Sequence, residues 1–338
     1  MLVGTIIIFV LGYISIALEQ KIKIDKAATA LVTGVACWMM YFLSSSSVIA
    51  SENELMIQVG NISGLLFFLL GAMTIVELVD SHQGFNLITD AIHTPSKSKL
   101  LIIVAVTSFF LSSVLDNLTT AIVMASLCKK IIHDRKDRLW FLSMVIIAVN
   151  AGGAWSPLGD VTTTLLWIGG QITPVHIIGN TLIPCIAVTL FPLLILVRKF
   201  HGQKITVSRR ERGMHSKEGK IILFTGIGLL LFVPVFKNLT HLPPWMGMLF
   251  ALGMSWIVSN VIHYNKNPEI RSKFSVSEAI RKIDTSSILF FLGILLSISS
   301  LQTFGILTKL AGLTGLKAKE GPPGYEYGLV LDGVAKVE

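Results

Sequence analysis

The feature that most constrains this chain is a series of apolar runs, near residues 2–18, 27–43, 59–79, 100–127, 139–149, 161–197, 221–236, 245–263 and 286–307, with short polar segments between them. About 20 apolar residues wound as a helix cross the hydrocarbon core of a bilayer. Only a helix satisfies its own backbone hydrogen bonds there without a closed barrel. The composition agrees: 52% of the residues are hydrophobic and 14% charged, against about 25% charged in a soluble domain. An ordinary soluble globule is excluded, and 338 residues allow on the order of eight to ten crossings. The expected fold class is all-α, a polytopic membrane protein.

The formal charge of +8 does not point to nucleic acid, because the basic residues fall in short blocks between the apolar runs. That distribution sets topology. Lys21, Lys23 and Lys26 form one block, Lys129, Lys130, Arg135, Lys136 and Arg138 a second, Arg198 to Lys220 a third and Lys266 to Lys282 a fourth. Loops 128–138, 198–220 and 264–285 are therefore expected in the cytoplasm. The Ser-rich stretch 44–58, carrying Glu52 and Glu54, and the stretch 237–244 are expected outside. Leu2–Leu18 lacks the basic n-region of a signal peptide and reads as a first span. Cys37, Cys128 and Cys185 are odd in number and far apart, which indicates neither a disulfide framework nor a zinc site.

Counting crossings exposes an anomaly. Residues 100–128 run between two basic segments that the count places on one side. Two full crossings need roughly 40 residues, more than this stretch holds. A re-entrant helical hairpin fits, with its tip in the polar stretch from Ser112 to Thr120. The next span, 139–168, is interrupted between Asn150 and Thr164, where Pro157 removes a backbone donor and Gly152, Gly153 and Gly159 favour unwinding. Non-helical backbone at membrane depth is tolerated only against protein or a water-filled cavity, so tip and break are expected to line one cavity.

Ser63–Gly71 resembles Ser286–Gly293, Gly84–Phe85 has a counterpart near Phe304–Gly305, and residues 27–43 pair loosely with 245–263. An odd number of crossings separates the two units, which makes them inverted repeats. The expected division is a first helix and loop in 1–26, a first repeat in 27–199, a basic loop and connecting helix in 200–244, an incomplete second repeat in 245–316 and an atypical tail in 317–338. The repeat offset would place a second hairpin just past the last residue. The tail is expected to be a truncated, frameshifted or foreign end, the alternative being a soluble extension.

Carboxylates inside membrane spans are costly and mark functional sites. Here they are Glu77, Asp80, Asp116 and Asp160. Asp116 and Asp160 sit among Asn117, Thr119, Thr120, Asn150, Ser156, Thr162 and Thr163, a hard-oxygen set suited to a small alkali cation. A desolvated carboxylate favours its protonated form and a bound cation favours the ionised one, so proton and cation compete, and competition enforces exchange. Asp116, Asn117, Asn150, Asp160, Thr162 and Thr163 are the candidate ion and proton site, with Asp116 and Asp160 as direct Na⁺ or Li⁺ ligands. Thr119, Thr120, Ser156 and Glu77 are secondary candidates. The plainer roles stay open: Asp116 as a cap on the amides of Leu118 or Thr119, Asp160 as the N-cap of a helix from Val161, Glu77 and Asp80 as interfacial anchors. His82, His93, His176 and His263 lie near span ends and read as interfacial. No cofactor is expected. No HExxH occurs, and Asp116 and Asp160 lack the motif settings of an intramembrane aspartyl protease, so the chain reads as a transporter rather than an enzyme.

Leu115-Asp116-Asn117-Leu118-Thr119-Thr120, taken with Ser156-Pro157-Leu158-Gly159-Asp160-Val161-Thr162-Thr163, resembles the NhaD-type sodium/proton antiporters of the ion transporter superfamily, which also includes arsenite permeases and citrate and dicarboxylate carriers. The likeness extends over about residues 1–315. It implies an inverted-repeat fold with two re-entrant hairpins and two broken helices, often a homodimer in the cytoplasmic membrane. It also implies exchange of cytoplasmic Na⁺ or Li⁺ for external protons, with a role in pH and salt homeostasis. The chain departs from the pattern at its C-terminus, where the second hairpin and broken helix are missing. An anion carrier of the same superfamily, for arsenite or a di- or tricarboxylate, is the alternative. It would favour basic residues at the cavity, and none lies in the hairpin or the break.

Overall fold

A computed structural model of the chain describes residues 1–85, 87, 94–204 and 217–313. The 317–338 tail, His93 and the middle of the basic loop 198–220 lie outside the described residues. Among the described residues the backbone is helical apart from caps, turns and one isolated bridge between Ser96 and Lys204. Among the described residues, six helices are long and apolar enough to cross a membrane: Lys26–Ser44, Val48–Ser81, Pro174–Lys199, Lys217–Thr240, Pro244–Ile262 and Thr285–Thr303. Leu2–Ala17 is a shorter apolar helix. The chain is an all-α polytopic membrane protein.

Two differences from the sequence reading have local causes. The stretch expected to be a loop over 44–58 is helical from Val48 onward, leaving only 45–47 between helices. The serines end one helix, but Ala50, Glu52, Glu54, Leu55 and Met56 are good helix formers, and Gln58 donates to Glu54 at 3.1 Å one turn away. Val48–Ser81 thereby reaches 34 residues, about 51 Å at the helical rise, so it outruns the bilayer core. The segment 264–285 is not a plain loop either: it folds into the short helices Pro268–Lys273 and Val276–Lys282.

The chain divides into two compact units. In the first, Met1–Leu70 with Asp284–Glu338, helix Lys26–Ser44 packs tightly along Thr285–Thr303. Small residues allow it: a Cβ on Gly34 would press on the Gly293 carbonyl, and one on Gly293 would run into the backbone of Ala30 and Leu31. Trp38 fastens the pair by donating its indole N–H to the Leu296 carbonyl at 2.9 Å and to Ser299 Oγ at 3.2 Å. Asp25 caps one helix start through the Ala27 amide and accepts the Ser286 hydroxyl at the other.

The second unit, Gly71–Ile283, holds the hairpin. Its arms, Lys97–Ser112 and Asn117–Ile131, have 16 and 15 residues. At the helical rise they are about 24 and 22 Å long, each short of a roughly 30 Å core. Leu101, Phe109, Met124, Met144, Val149 and Phe200 belong to one continuous apolar core joining the hairpin to helices Arg135–Ala154 and Pro174–Lys199. At the hairpin base, Lys97 pairs with Asp137 and donates to Gln203, and Ser98 donates to the Val197 carbonyl at 3.1 Å. Elsewhere in this unit, Gly71 lies against Met248, which a Cβ on the glycine would contact at 2.7 Å.

Candidate functional site

The hairpin tip and the helix break meet, and glycine makes the approach close. Helix Arg135–Ala154 ends at Trp155, and a second helix, Val161–Ile168, starts after Asp160. A Cβ on Gly152 would overlap the carbonyl of Phe109 on the first hairpin arm. One on Gly159 would overlap the Ser112 carbonyl, and one on Gly153 would press on the Gly159 carbonyl. The Ser112 hydroxyl, fully buried, donates to the Val149 carbonyl at 2.6 Å. The Trp155 ring stacks on Phe109, with centroids 6.0 Å apart and planes 16° from parallel.

Within the break, side chains replace the lost helical hydrogen bonds. Thr163 Oγ1 donates to the carbonyls of Ser156 and Asp160 at 2.8 and 2.9 Å, and Thr164 Oγ1 donates to the Pro157 carbonyl at 2.8 Å. Ser156 Oγ accepts the Leu158 amide. The interruption is thus a turn in which the Ser156, Pro157 and Asp160 carbonyls are satisfied by threonine hydroxyls. Sequence marks Ser112 and Thr164 only as bounds of the tip and the break; the bonds they make, and the Phe109–Trp155 stack, emerge from the structure, with the glycine spacing as their signal.

Each carboxylate caps a helix that starts at this place. Asp116 accepts the Thr119 amide at 2.8 Å and the Thr119 hydroxyl at 2.6 Å, at the start of the second hairpin arm. Asp160 accepts the Thr162 amide at 3.0 Å, at the start of Val161–Ile168. Both capping roles considered from sequence are therefore real, with Thr119 rather than Leu118 the partner of Asp116. Such caps leave carboxylate lone pairs free. The bridge between the two elements is Asn117: its Nδ2 donates to Asp160 Oδ1 at 3.1 Å and to Asn150 Oδ1 at 3.3 Å. Asn150 is held in turn by its own Nδ2 on the Ile146 carbonyl at 2.8 Å.

The structure thus joins Asn117, Asn150 and Asp160 directly, with Asp116 one residue from Asn117. Asp116, Asn117 and Asp160 are half-buried and Asn150 is exposed. Thr162 is exposed and contributes its backbone amide, while Thr163 is turned into the break. Thr120 is fully buried, with a hydroxyl that has no hydrogen-bond partner among the described residues. Glu77 has a different setting, accepting from Ser81 at 3.2 Å and facing Lys282 at 3.8 Å. No cluster of three or more His, Cys, Asp or Glu side chains suited to a metal ion occurs among the described residues. Nor, among them, does either Asp116 or Asp160 take part in an ion pair with a basic side chain. The hydrogen bonds reaching both carboxylates come from neutral amides and hydroxyls.

A bundle of membrane-length helices with a hairpin tip set against an interrupted helix is the kind of arrangement in which secondary transporters build their substrate sites. A family model described as a citrate transporter matches residues 6–324, and the chain belongs to that family. The chain is 42% identical over 316 residues to Sodium/proton antiporter 1 of Arabidopsis thaliana, an alignment covering 91% of this chain and 54% of that protein. Sodium/proton antiporter 2 of the same plant is 42% identical over 310 residues, covering 90% of this chain and 73% of that one. The Na(+)/H(+) antiporter NhaD of Vibrio cholerae is 26% identical over 345 residues, covering 90% and 69%. The chain spans about half the length of the first of these relatives.

Proposed function

We propose that this chain exchanges Na⁺ or Li⁺ for H⁺ across a membrane by alternating access, with Asp116 and Asp160 taking up cation and proton in turn. The observation that carries the reading is the Asn117 bridge to Asp160 and Asn150. It gathers carboxylate and amide oxygens at one point with no basic side chain paired to them, and such oxygens suit a small hard cation. A cation arriving there meets the ionised carboxylates, and a proton on either one removes the charge that holds it. Exchange then follows from competition for the same oxygens. The names of the plant and bacterial relatives support the same cargo.

The hairpin enters the membrane and returns to the same side in this reading, as its short arms suggest. An inverted repeat is supported by a matched pair of crossings. Gly293 backs onto Ala30, and Gly71 backs onto Met248. These are the elements that the internal sequence likeness pairs, 27–43 with 245–263 and 63–71 with 286–293. The loops 128–138, 198–220 and 264–285 face the cytoplasm, and the assembly is a homodimer.

The family description favours a second reading, a carboxylate carrier, and two helix N-termini at one place are good anion sites. Both N-termini are already occupied by Asp116 and Asp160, which repel an incoming carboxylate. The test is proton movement in inverted vesicles on addition of Na⁺ or Li⁺, against citrate uptake, for the chain and for Asp116→Asn and Asp160→Asn. Cation-induced proton release that each variant abolishes, with membrane insertion intact, is expected. Exchange retained in both variants would remove the site assignment, and citrate uptake without cation-induced proton movement would replace antiport by anion transport.

A further inference from the structure

Away from the hairpin, two histidines are buried against each other where three membrane helices end. His82 follows the last turn of Val48–Ser81 and His263 follows Pro244–Ile262, with 5% and 2% of their surfaces exposed. Their ring centroids are 5.1 Å apart, and both rings pack on Phe274, at 4.9 and 5.4 Å. They lie at span ends as expected, but they face protein: the chain folds back after His263 and packs Phe274 on both rings.

Each Nδ1 lies on the carbonyl four residues earlier, His82 on Leu78 at 2.7 Å and His263 on Ser259 at 2.8 Å. A carbonyl only accepts, so Nδ1 carries the hydrogen in both rings. Each Nε2 is then a bare acceptor in the neutral ring. Both Nε2 atoms are buried and have no hydrogen-bond partner among the described residues. Buried polar atoms are nearly always satisfied, so two adjacent orphans of the same kind call for a ligand that supplies a hydrogen. The charged groups that act on this place are Glu218, at the start of Lys217–Thr240, and Lys266, in the segment after His263. Glu218 is shared: it pairs with Lys266 and stands 3.7 Å from His263 Nε2.

We propose that His82 and His263 form a proton-binding site, separate from the carboxylates of the hairpin and the break, that loosens the junction of these three helix ends when it takes up a proton. A proton on His263 draws Glu218 away from Lys266. One on His82 is placed on a ring that is 5% exposed and whose Nε2 makes no hydrogen bond to the described residues as packed, so the junction must shift or admit water to receive it, because a buried unpaired charge is strongly destabilising. Nearby the same helices close on a largely apolar crevice lined by Ile75, Leu78, Ile222, Thr225 and Ser255, which offers a charged ring two hydroxyls and no charged partner. Burial first, then the neighbouring His263 and Lys266, depresses the affinity of His82 for protons, against the opposing pull of the Leu78 carbonyl and Glu218. An imidazole held neutral in the folded state stabilises the fold above its ordinary value near 6.5. That stability is lost as pH falls below it, where the unfolded chain binds more protons.

The test is independent of transport: thermal unfolding of the full chain in lipid nanodiscs between pH 8 and pH 5, for wild type and His82→Gln/His263→Gln. We expect the wild type to lose stability relative to the variant below about pH 6.5, by up to roughly tenfold in the folding constant per pH unit for the proton that burial keeps off His82. Parallel profiles would overturn the proposal. If the variant does not fold, ¹⁵N-histidine resonances of the wild type decide. Uptake of a proton below the free imidazole range supports the site, and titration at the free value, or none down to pH 5, rejects it.

Discussion

Asn117 Nδ2 donates to Asp160 Oδ1 across 3.1 Å, tying the start of the second hairpin arm to the start of the helix that follows the break. The amide both orients the Asp160 carboxylate and, through Asn150, fixes the distance between the two elements. Asn117→Ala removes a hydrogen bond to a charged group, a contribution of about 1.5–3 kcal/mol. The unfolding midpoint should fall accordingly, and the Na⁺ concentration for half-maximal proton release should rise as the Asp160 carboxylate loses its orientation. An unaltered Na⁺ dependence would show that the bridge is structural and not part of the ion site.

Close backbone approach at the tip gives a prediction of the opposite kind, on folding first. The Gly152 Cα faces the Phe109 carbonyl at a distance that leaves no room for a Cβ. Gly152→Ala must push the hairpin arm off the broken helix, a strain of about 1–3 kcal/mol. Gly179→Ala, where a Cβ meets nothing within 4 Å, is the matched control in helix Pro174–Lys199. Thermal unfolding should show a fall in midpoint for the first substitution and none, or a small rise, for the second.

The hairpin base offers a charge-pair test. Lys97 and Asp137 retain only 17% and 18% side-chain exposure, between the exposed pairs that contribute under about 1 kcal/mol and the buried pairs whose breakage costs about 3–5 kcal/mol. Asp137→Asn should cost about 1–2 kcal/mol by that interpolation. Lys97→Met combined with it should cost less than the two single changes added together. A double-mutant cycle in unfolding midpoints measures the coupling, and strict additivity would mean the pair is incidental.

The hairpin and the break were legible in sequence because both rest on polarity and backbone chemistry. The polar stretch from Ser112 to Thr120 interrupts an apolar run, and Pro157 among glycines cannot continue a helix. What sequence could not give was the atom-to-atom meeting. Nothing in the spacing says that Asn117 reaches Asp160, since that depends on how far Gly152 and Gly159 let the two backbones sink together. Histidines at span ends look alike whether they face water or protein, so the burial of His82 and His263 by a segment ending near Phe274 was invisible. The run of serines at 44–47 was read too broadly, because a turn needs only three or four residues and the glutamates beyond it favour a helix.

Trp38 provides the last test, in the unit that lacks the hairpin. Its indole N–H reaches the Leu296 carbonyl and Ser299 Oγ, while Gly34 and Gly293 bring the two helix backbones together beside it. Trp38→Phe keeps an aromatic ring for Tyr41 to pack on edge but removes the donor. The Leu296 carbonyl already serves the helix, so the loss should be near the ordinary net value of about 1 kcal/mol. Gly293→Ala, by contrast, sets a Cβ into the backbone of Ala30, and no rotamer can relieve that. It should lower the unfolding midpoint more than Trp38→Phe does, and the reverse order would mean that the indole, not the close helix approach, holds Lys26–Ser44 against Thr285–Thr303.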